Sequence, residues 1–248
     1  MHLLRNVCSA VLFAINSGQV LALECGGVVF SGAPFTVCEV DPVADDIRLF
    51  HSDRSGMPIG TFQRLVDEIT PANLLFAMNA GMFHPNRSPV GLYKENGQTL
   101  SPIVLSAGPG NFGLLPNGVF CISDRKLLVV ESHAYASQPE MCRDASQSGP
   151  MLVIDNEIHP RFIPESSSRF IRNGVGVSHN GERAAFVVSD EPVNFYEFAR
   201  LFRDHLGTPN ALYFDGKVSM MYAKELNRSD FGFPVGPMVA VVETGNLD

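Results

Sequence analysis

The stretch Phe62-Gln63-Arg64-Leu65-Val66-Asp67-Glu68-Ile69-Thr70-Pro71-Ala72-Asn73-Leu74-Leu75-Phe76-Ala77-Met78-Asn79 changes its hydrophobic period halfway along, and that change sets the fold class. Phe62, Leu65, Val66 and Ile69 recur at the spacing of one helix face, which predicts an amphipathic helix within residues 60–70. Pro71 cannot extend that helix, and every residue from Leu74 to Met78 is apolar, as expected of a strand covered on both faces. Helix and buried strand therefore coexist in one folding unit.

Working outward, most of the chain reads as short strands separated by Gly, Pro, Asn and Asp. Residues 27–31, 35–40 and 47–50 are expected to form an opening meander whose first turn is Ser31-Gly32-Ala33-Pro34. Further strands are expected at 73–78, 118–122, 127–130, 151–154 and 211–214. The apolar run 237–242 reads as a central strand. Residues 174–178 and 183–189 read as a hairpin around His179-Asn180-Gly181-Glu182, with Asn-Gly supplying positive φ angles. A second helix spans 194–206, capped by Asn194 with Glu197 at N3 and stopped by Gly207. The prediction is an α+β single domain: an antiparallel or mixed sheet core with two or three packed helices.

The amino terminus reads differently. Arg5, the apolar stretch 7–15 and the small residues of Val20-Leu21-Ala22 have the form of a signal peptide cleaved after Ala22, leaving a domain of residues 23–248. The expectation is an exported protein, periplasmic or secreted, without a membrane span. The chain carries 18 basic and 26 acidic residues, a net charge of −8, which disfavours nucleic acid and anionic membranes as partners. Cys25, Cys38, Cys121 and Cys142 follow the leader, an even number suited to an oxidising compartment. Proximity in sequence favours Cys25 with Cys38 and Cys121 with Cys142, although buried free thiols would also fit. The seven histidines lack metal-ligand spacing, so neither a metal nor another cofactor is expected.

Four polar motifs end apolar runs: Asn79-Ala80-Gly81-Met82-Phe83, Gln147-Ser148-Gly149-Pro150, Arg172-Asn173-Gly174-Val175-Gly176 and Tyr213-Phe214-Asp215-Gly216. A buried strand that stops at a polar residue and a glycine brings a functional group to a loop. Taken singly, Asn79 and Ser148 also suit ordinary turns. Arg172 suits a phosphate clamp or an ion pair with Asp215, and a carboxylate at the end of an apolar strand needs a partner or a ligand. Four such junctions suggest one site assembled from distant segments.

The order and spacing of these motifs resemble the phosphodiester glycosidase family, in the form of an uncovering-enzyme-like catalytic domain, over roughly residues 74–242. Gly91-Leu92-Tyr93, Gly108-Pro109-Gly110-Asn111-Phe112 and Asn210-Ala211-Leu212-Tyr213 are similar to its bacterial exported branch. The resemblance implies a hydrolase that cleaves the glycosidic bond of a sugar-1-phosphodiester. Asp215 would be the nucleophile or general base, and Arg172 would neutralise the phosphate. Asn79, Gly81, Phe83, Ser148, Gly149, Asn173, Gly216 and Ser219 would bind or shape the substrate. The family's glycine-rich segment after the acid reads Asp215-Gly216-Lys217-Val218-Ser219-Met220 here, with Lys217 and Val218 in place of glycines. That departure makes a non-catalytic module binding glycan or cell envelope the alternative. His84 is a candidate acid, and Asp190-Glu191 a candidate second carboxylate or helix cap.

Overall fold

The computed structural model describes residues 23–216 and 218–243. The expected leader, with Cys8 inside it, lies outside the described residues. The chain opens with the hairpin β1 (Glu24–Phe30) and β2 (Ala33–Val40), closed by Ser31 and Gly32 at φ of 51° and 84°. Both angles are positive, as a two-residue hairpin turn requires. Strand β3 (Asp46–Phe50), helix α1 (Phe62–Ile69) and strand β4 (Asn73–Asn79) follow. Thr61 caps α1 by accepting the Arg64 N–H at 3.3 Å.

The middle of the chain supplies β5 (Tyr93–Glu95), β6 (Gln98–Ser101), β7 (Gly118–Ile122) and β8 (Leu127–Glu131). Helix α2 (Ser132–Ala136) leads to β9 (Asp144–Ser148), β10 (Met151–Ile154) and β11 (Glu157–Ile158). The last third forms β12 (Asn173–Val177), β13 (Ala184–Ser189) and α3 (Phe195–Arg200), which a π-helical turn, Leu201–His205, prolongs. Strands β14 (Asn210–Asp215), β15 (Met221–Ala223), β16 (Arg228–Ser229) and β17 (Met238–Glu243) complete it. The Asn194–Glu197 capping box forms as the sequence predicts, and Gly207 ends the helical segment at φ +62°.

These strands build three antiparallel sheets, ordered β1-β2-β13-β12-β14-β10-β11, β16-β15-β4-β17-β3 and β6-β5-β9-β7-β8. The strands' period-2 alternation gives each sheet one face toward a shared core. Phe186 and Phe214 come from the first sheet, Phe76 from the second and Phe120 from the third. Phe186 meets Phe76 at 5.2 Å and Phe120 at 5.5 Å between ring centroids, and Phe120 meets Phe214 at 6.0 Å. Aromatic pairs of this kind contribute about 0.5–1.5 kcal/mol each beyond burial.

The opposite face of each sheet carries one helix. Phe198 and Phe202 of the α3 segment cover Val37, Val187 and Ala211, while Phe62 and Leu65 of α1 cover Ala77, Ala240 and Val242. Tyr135 of α2 covers Val119 and Cys121. Cover on both faces explains why the strands read as continuous apolar runs. Both expected disulfides are present: Cys25–Cys38 joins opposite residues of β1 and β2, and Cys121–Cys142 ties β7 to the segment before β9.

Two expectations need correction, and one strand lies where none is expected. The opening segments are not a meander, because β3 joins the second sheet beside β17 while β2 pairs with the distant β13. At the turn 179–182 only Gly181 takes positive φ, and Asn180 instead accepts bonds from Ser178 Oγ and the Glu182 N–H. Residues 144–148, where no strand is expected from the sequence, form the fully buried strand β9 despite the polar sequence Asp-Ala-Ser-Gln-Ser. Neighbouring elements satisfy those side chains: the Gln147 amide alone bonds the main chain of Leu92 and Val104 and the hydroxyl of Ser132.

Candidate active site

The three sheets meet at one end, and there the motif residues converge. Asn79 closes β4 in the second sheet, Ser148 closes β9 in the third, and Asn173 and Asp215 stand opposite each other in the first. Direct hydrogen bonds join them. Asn173 Nδ2 donates to the Asn79 carbonyl at 3.0 Å and to Asn79 Oδ1 at 2.9 Å, and Asn173 Oδ1 accepts the Asp215 N–H at 3.0 Å. Ser148 Oγ donates to the Phe214 carbonyl at 2.7 Å, and Ser146 Oγ donates to the Ala80 carbonyl at 2.6 Å. Ser219 Oγ returns to the Asp215 carbonyl at 2.8 Å, and the Met220 N–H donates to Asn79 Oδ1 at 3.0 Å.

These bonds orient the Asn79 amide. Its Oδ1 receives two donors, so the Nδ2 end is fixed as the opposite pole. That Nδ2 is buried without an acceptor among the described residues. A buried amide donor left this way costs roughly 1–3 kcal/mol, which makes it a marked feature of the junction.

Arg172 lies just behind this junction. It is 1% exposed, and burial lowers its pKa from the ordinary arginine value, an effect the Tyr213 hydroxyl opposes. Its Nε donates to the Val193 carbonyl at 2.8 Å, its Nη2 to the Ser168 carbonyl at 3.0 Å and its Nη1 to the Tyr213 hydroxyl at 3.3 Å. The guanidinium also stacks on Phe195 at 3.7 Å from the ring centroid. The ion pair with Asp215 considered from sequence is not among the guanidinium's contacts, which are two carbonyls, the Tyr213 hydroxyl and aromatic rings. Arg172 is thus a buried cation beneath the strand end, held by carbonyls and rings.

Sequence reasoning passed over Tyr213 as a site residue, although it opens the Tyr213-Phe214-Asp215-Gly216 motif at the end of β14. Desolvation pushes its phenol up to about 12, so it meets Arg172 as a neutral hydroxyl at ordinary pH. Its hydroxyl also explains Gly216: a Cβ there would overlap that oxygen. Gly81 leaves space for Ser146 Oγ, 2.8 Å from where a Cβ would lie, and Gly149 for Asn117, 2.6 Å away. Gly216→Ala is therefore expected to cost about 1–3 kcal/mol by overpacking. Adding Tyr213→Phe, which deletes the obstructing oxygen, should recover most of that loss in a thermal melt. Equal destabilisation with and without the hydroxyl would contradict this account of the glycine.

The remaining candidates sit further out. Phe83 is partly buried against the cluster that includes Val218 and Met220, with the Arg87 guanidinium 5.7 Å from its ring centroid. Asp190 is engaged by Arg228 at 2.8 Å and by Thr36 Oγ1 at 3.0 Å, so it serves a charged network beside the junction. The His84 N–H donates to the Ser88 carbonyl within its own loop. Among the described residues no group of three His, Cys, Asp or Glu could hold a metal ion, and no helix is long and apolar enough to cross a membrane.

A family model described as phosphodiester glycosidase matches residues 72–242. An Escherichia coli K12 protein, named as uncharacterized protein YigE, is 37% identical over 217 residues, which is 86% of this chain and 85% of its own. Among solved structures, the catalytic domain of zebrafish N-acetylglucosamine-1-phosphodiester alpha-N-acetylglucosaminidase, auto-inhibited by its pro-peptide, aligns with a TM-score of 0.63 at 15% identity. The alignment covers 92% of this chain and 85% of that one. A putative exported protein from Burkholderia pseudomallei K96243 aligns with a TM-score of 0.51 at 12% identity over 84% and 74% of the two chains.

Proposed function

The chain belongs to the phosphodiester glycosidase family, and from that premise we propose that it hydrolyses the bond between a sugar's anomeric carbon and the phosphate of a sugar-1-phosphodiester. The observation that carries this reading is the Asn79–Asn173–Asp215 chain of hydrogen bonds. It holds an acid by its main chain beside a buried amide whose Nδ2 lacks an acceptor among the described residues. Such an amide suits a phosphate or sugar oxygen, and the buried charge of Arg172 adds positive potential behind it.

In this mechanism Asp215 acts at the anomeric carbon, either attacking it or drawing a proton from the attacking water. The C1–O bond breaks, and its electron pair leaves with the phosphate monoester. Water supplies the new hydroxyl at C1, and its other proton passes through Asp215 to solvent. A departing phosphate is already a stable anion, so a second carboxylate is less needed than in ordinary glycosidases. Ser219 and Ser148 fix the carbonyls on either side of the Phe214–Asp215 peptide, which keeps the acid's backbone in place. Two disulfides support an exported protein working in an oxidising compartment.

The zebrafish enzyme's name makes N-acetylglucosamine the first sugar to try. Incubation with an N-acetylglucosaminyl phosphodiester is expected to release free sugar and phosphate monoester in equal amounts. Binding without release, across a panel of sugars, would instead identify a glycan-binding module on the same fold.

A further inference from the structure

Phe231 and Phe233 are 96% and 79% exposed, whereas the aromatic residues of the sheets and helices are largely buried. Burial of a phenylalanine ring is strongly favourable, so two exposed rings within three residues forgo considerable stabilisation. The loop bearing them is firmly tied. At its start the Asp230 N–H donates to the Met221 carbonyl at 3.1 Å, and the Asp230 carboxylate pairs with Arg228 at 2.9 Å. At its end the Val235 N–H donates to the Gly60 carbonyl and the Pro237 carbonyl accepts the Ala80 N–H, each at 2.8 Å.

Both ties lead to the candidate site. Ala80 follows Asn79, and Met221 follows Met220, whose N–H bonds Asn79 Oδ1. Gly232, between the two rings, lies so close to Met220 that a Cβ there would be 3.3 Å from its Sδ. Phe170 is 53% exposed, 5.6 Å from the Arg172 guanidinium. It precedes Ile171, whose carbonyl accepts Ser219 Oγ at 3.2 Å. Exposed aromatic rings thus lie beside the polar junction on two separate loops.

We propose that Phe231 and Phe233 bind the apolar aglycone of an amphiphilic substrate, a sugar-1-phosphodiester whose second ester group is a long alkyl or aryl chain. This rests on the glycosidase reading. A net charge of −8 works against docking on an anionic bilayer, whereas an alkyl group carried by the phosphate would lie beside the junction that holds the phosphate. The rings supply apolar contact area without charge, which selects for chain length rather than head-group identity.

The test compares ethyl and octyl esters of N-acetylglucosaminyl phosphate, below their aggregation concentrations, with the wild type and the double variant Phe231→Ser, Phe233→Ser. Partial burial of the longer chain should raise wild-type kcat/KM roughly tenfold or more over the ethyl ester, and the double variant should bring that ratio close to one. Equal efficiency on both esters in the wild type would overturn the assignment and leave the glycosidase reading intact. A preference surviving in the double variant would also overturn it. Turnover of neither ester, nor of the same pair built on the other sugars of the panel, would overturn the glycosidase reading, and the aglycone site with it. Vesicle binding that needs both rings, without any chain-length preference, would assign them to a membrane contact instead.

Discussion

Asp215→Asn is expected to lower kcat/KM for a sugar-1-phosphodiester by about two to four orders of magnitude, the usual effect of removing a base or nucleophile. The thermal midpoint should stay near that of the wild type. The two main-chain bonds that hold the residue, from its N–H to Asn173 Oδ1 and from Ser219 Oγ to its carbonyl, persist in the variant. Replacing one carboxylate oxygen with an amide nitrogen keeps shape and backbone while removing the charge and basicity. Near wild-type turnover in this variant would remove Asp215 from the mechanism. A large fall in thermal midpoint would show that the carboxylate is chiefly a structural group.

Asn173→Ala should behave differently, losing stability as well as activity. The side chain is fully buried and spans two sheets, donating to the carbonyl and Oδ1 of Asn79 and accepting the Asp215 N–H. Truncation leaves buried groups on both sides without partners at about 1–3 kcal/mol each, or roughly 3–5 kcal/mol in all. For a domain of this size that corresponds to a midpoint lower by about 10 °C. Asn173→Asp should fare little better, since an ionised carboxylate cannot donate to Asn79. A midpoint within about 2 °C of the wild type in either variant would contradict the description of Asn173 as the link between sheets.

The contrast between the two variants rests on features of unequal legibility in the sequence. Helices α1 and α3 were readable because Phe62, Leu65, Val66 and Ile69, and later Asn194 with Glu197, are local signals. The α+β class followed from the same local patterns. Strand partnership did not, because hydrophobic period identifies a strand without saying which edge it meets. Thus β3 crosses to the second sheet, and β2 takes β13 from nearly 150 residues further on. Strand β9 escaped notice because its polar side chains find their bonds in other sheets, as Ser146 does at Ala80 and Ser148 at Phe214.

At the junction, polar residues at strand ends were visible one by one, and their order carried the family resemblance. Their connections were not visible. The glycines read from sequence as openings for a ligand turn out to leave room for neighbours, Gly81 for Ser146 and Gly216 for Tyr213. Arg172 read as a phosphate clamp or an ion-pair partner, and it is a buried cation whose donors go to Val193, Ser168 and Tyr213. Substrate choice is the least legible part, since it falls to exposed loop residues such as Phe231 and Phe233, which obey no periodicity.

The most direct measurement is the fate of heavy oxygen during turnover. When the protein cleaves an N-acetylglucosaminyl phosphodiester in heavy-oxygen water, attack at the anomeric carbon leaves the released phosphate monoester unlabelled, and this is the predicted result. Heavy oxygen in the phosphate would mean attack at phosphorus and would contradict the assignment of Asp215 to glycosidic-bond cleavage.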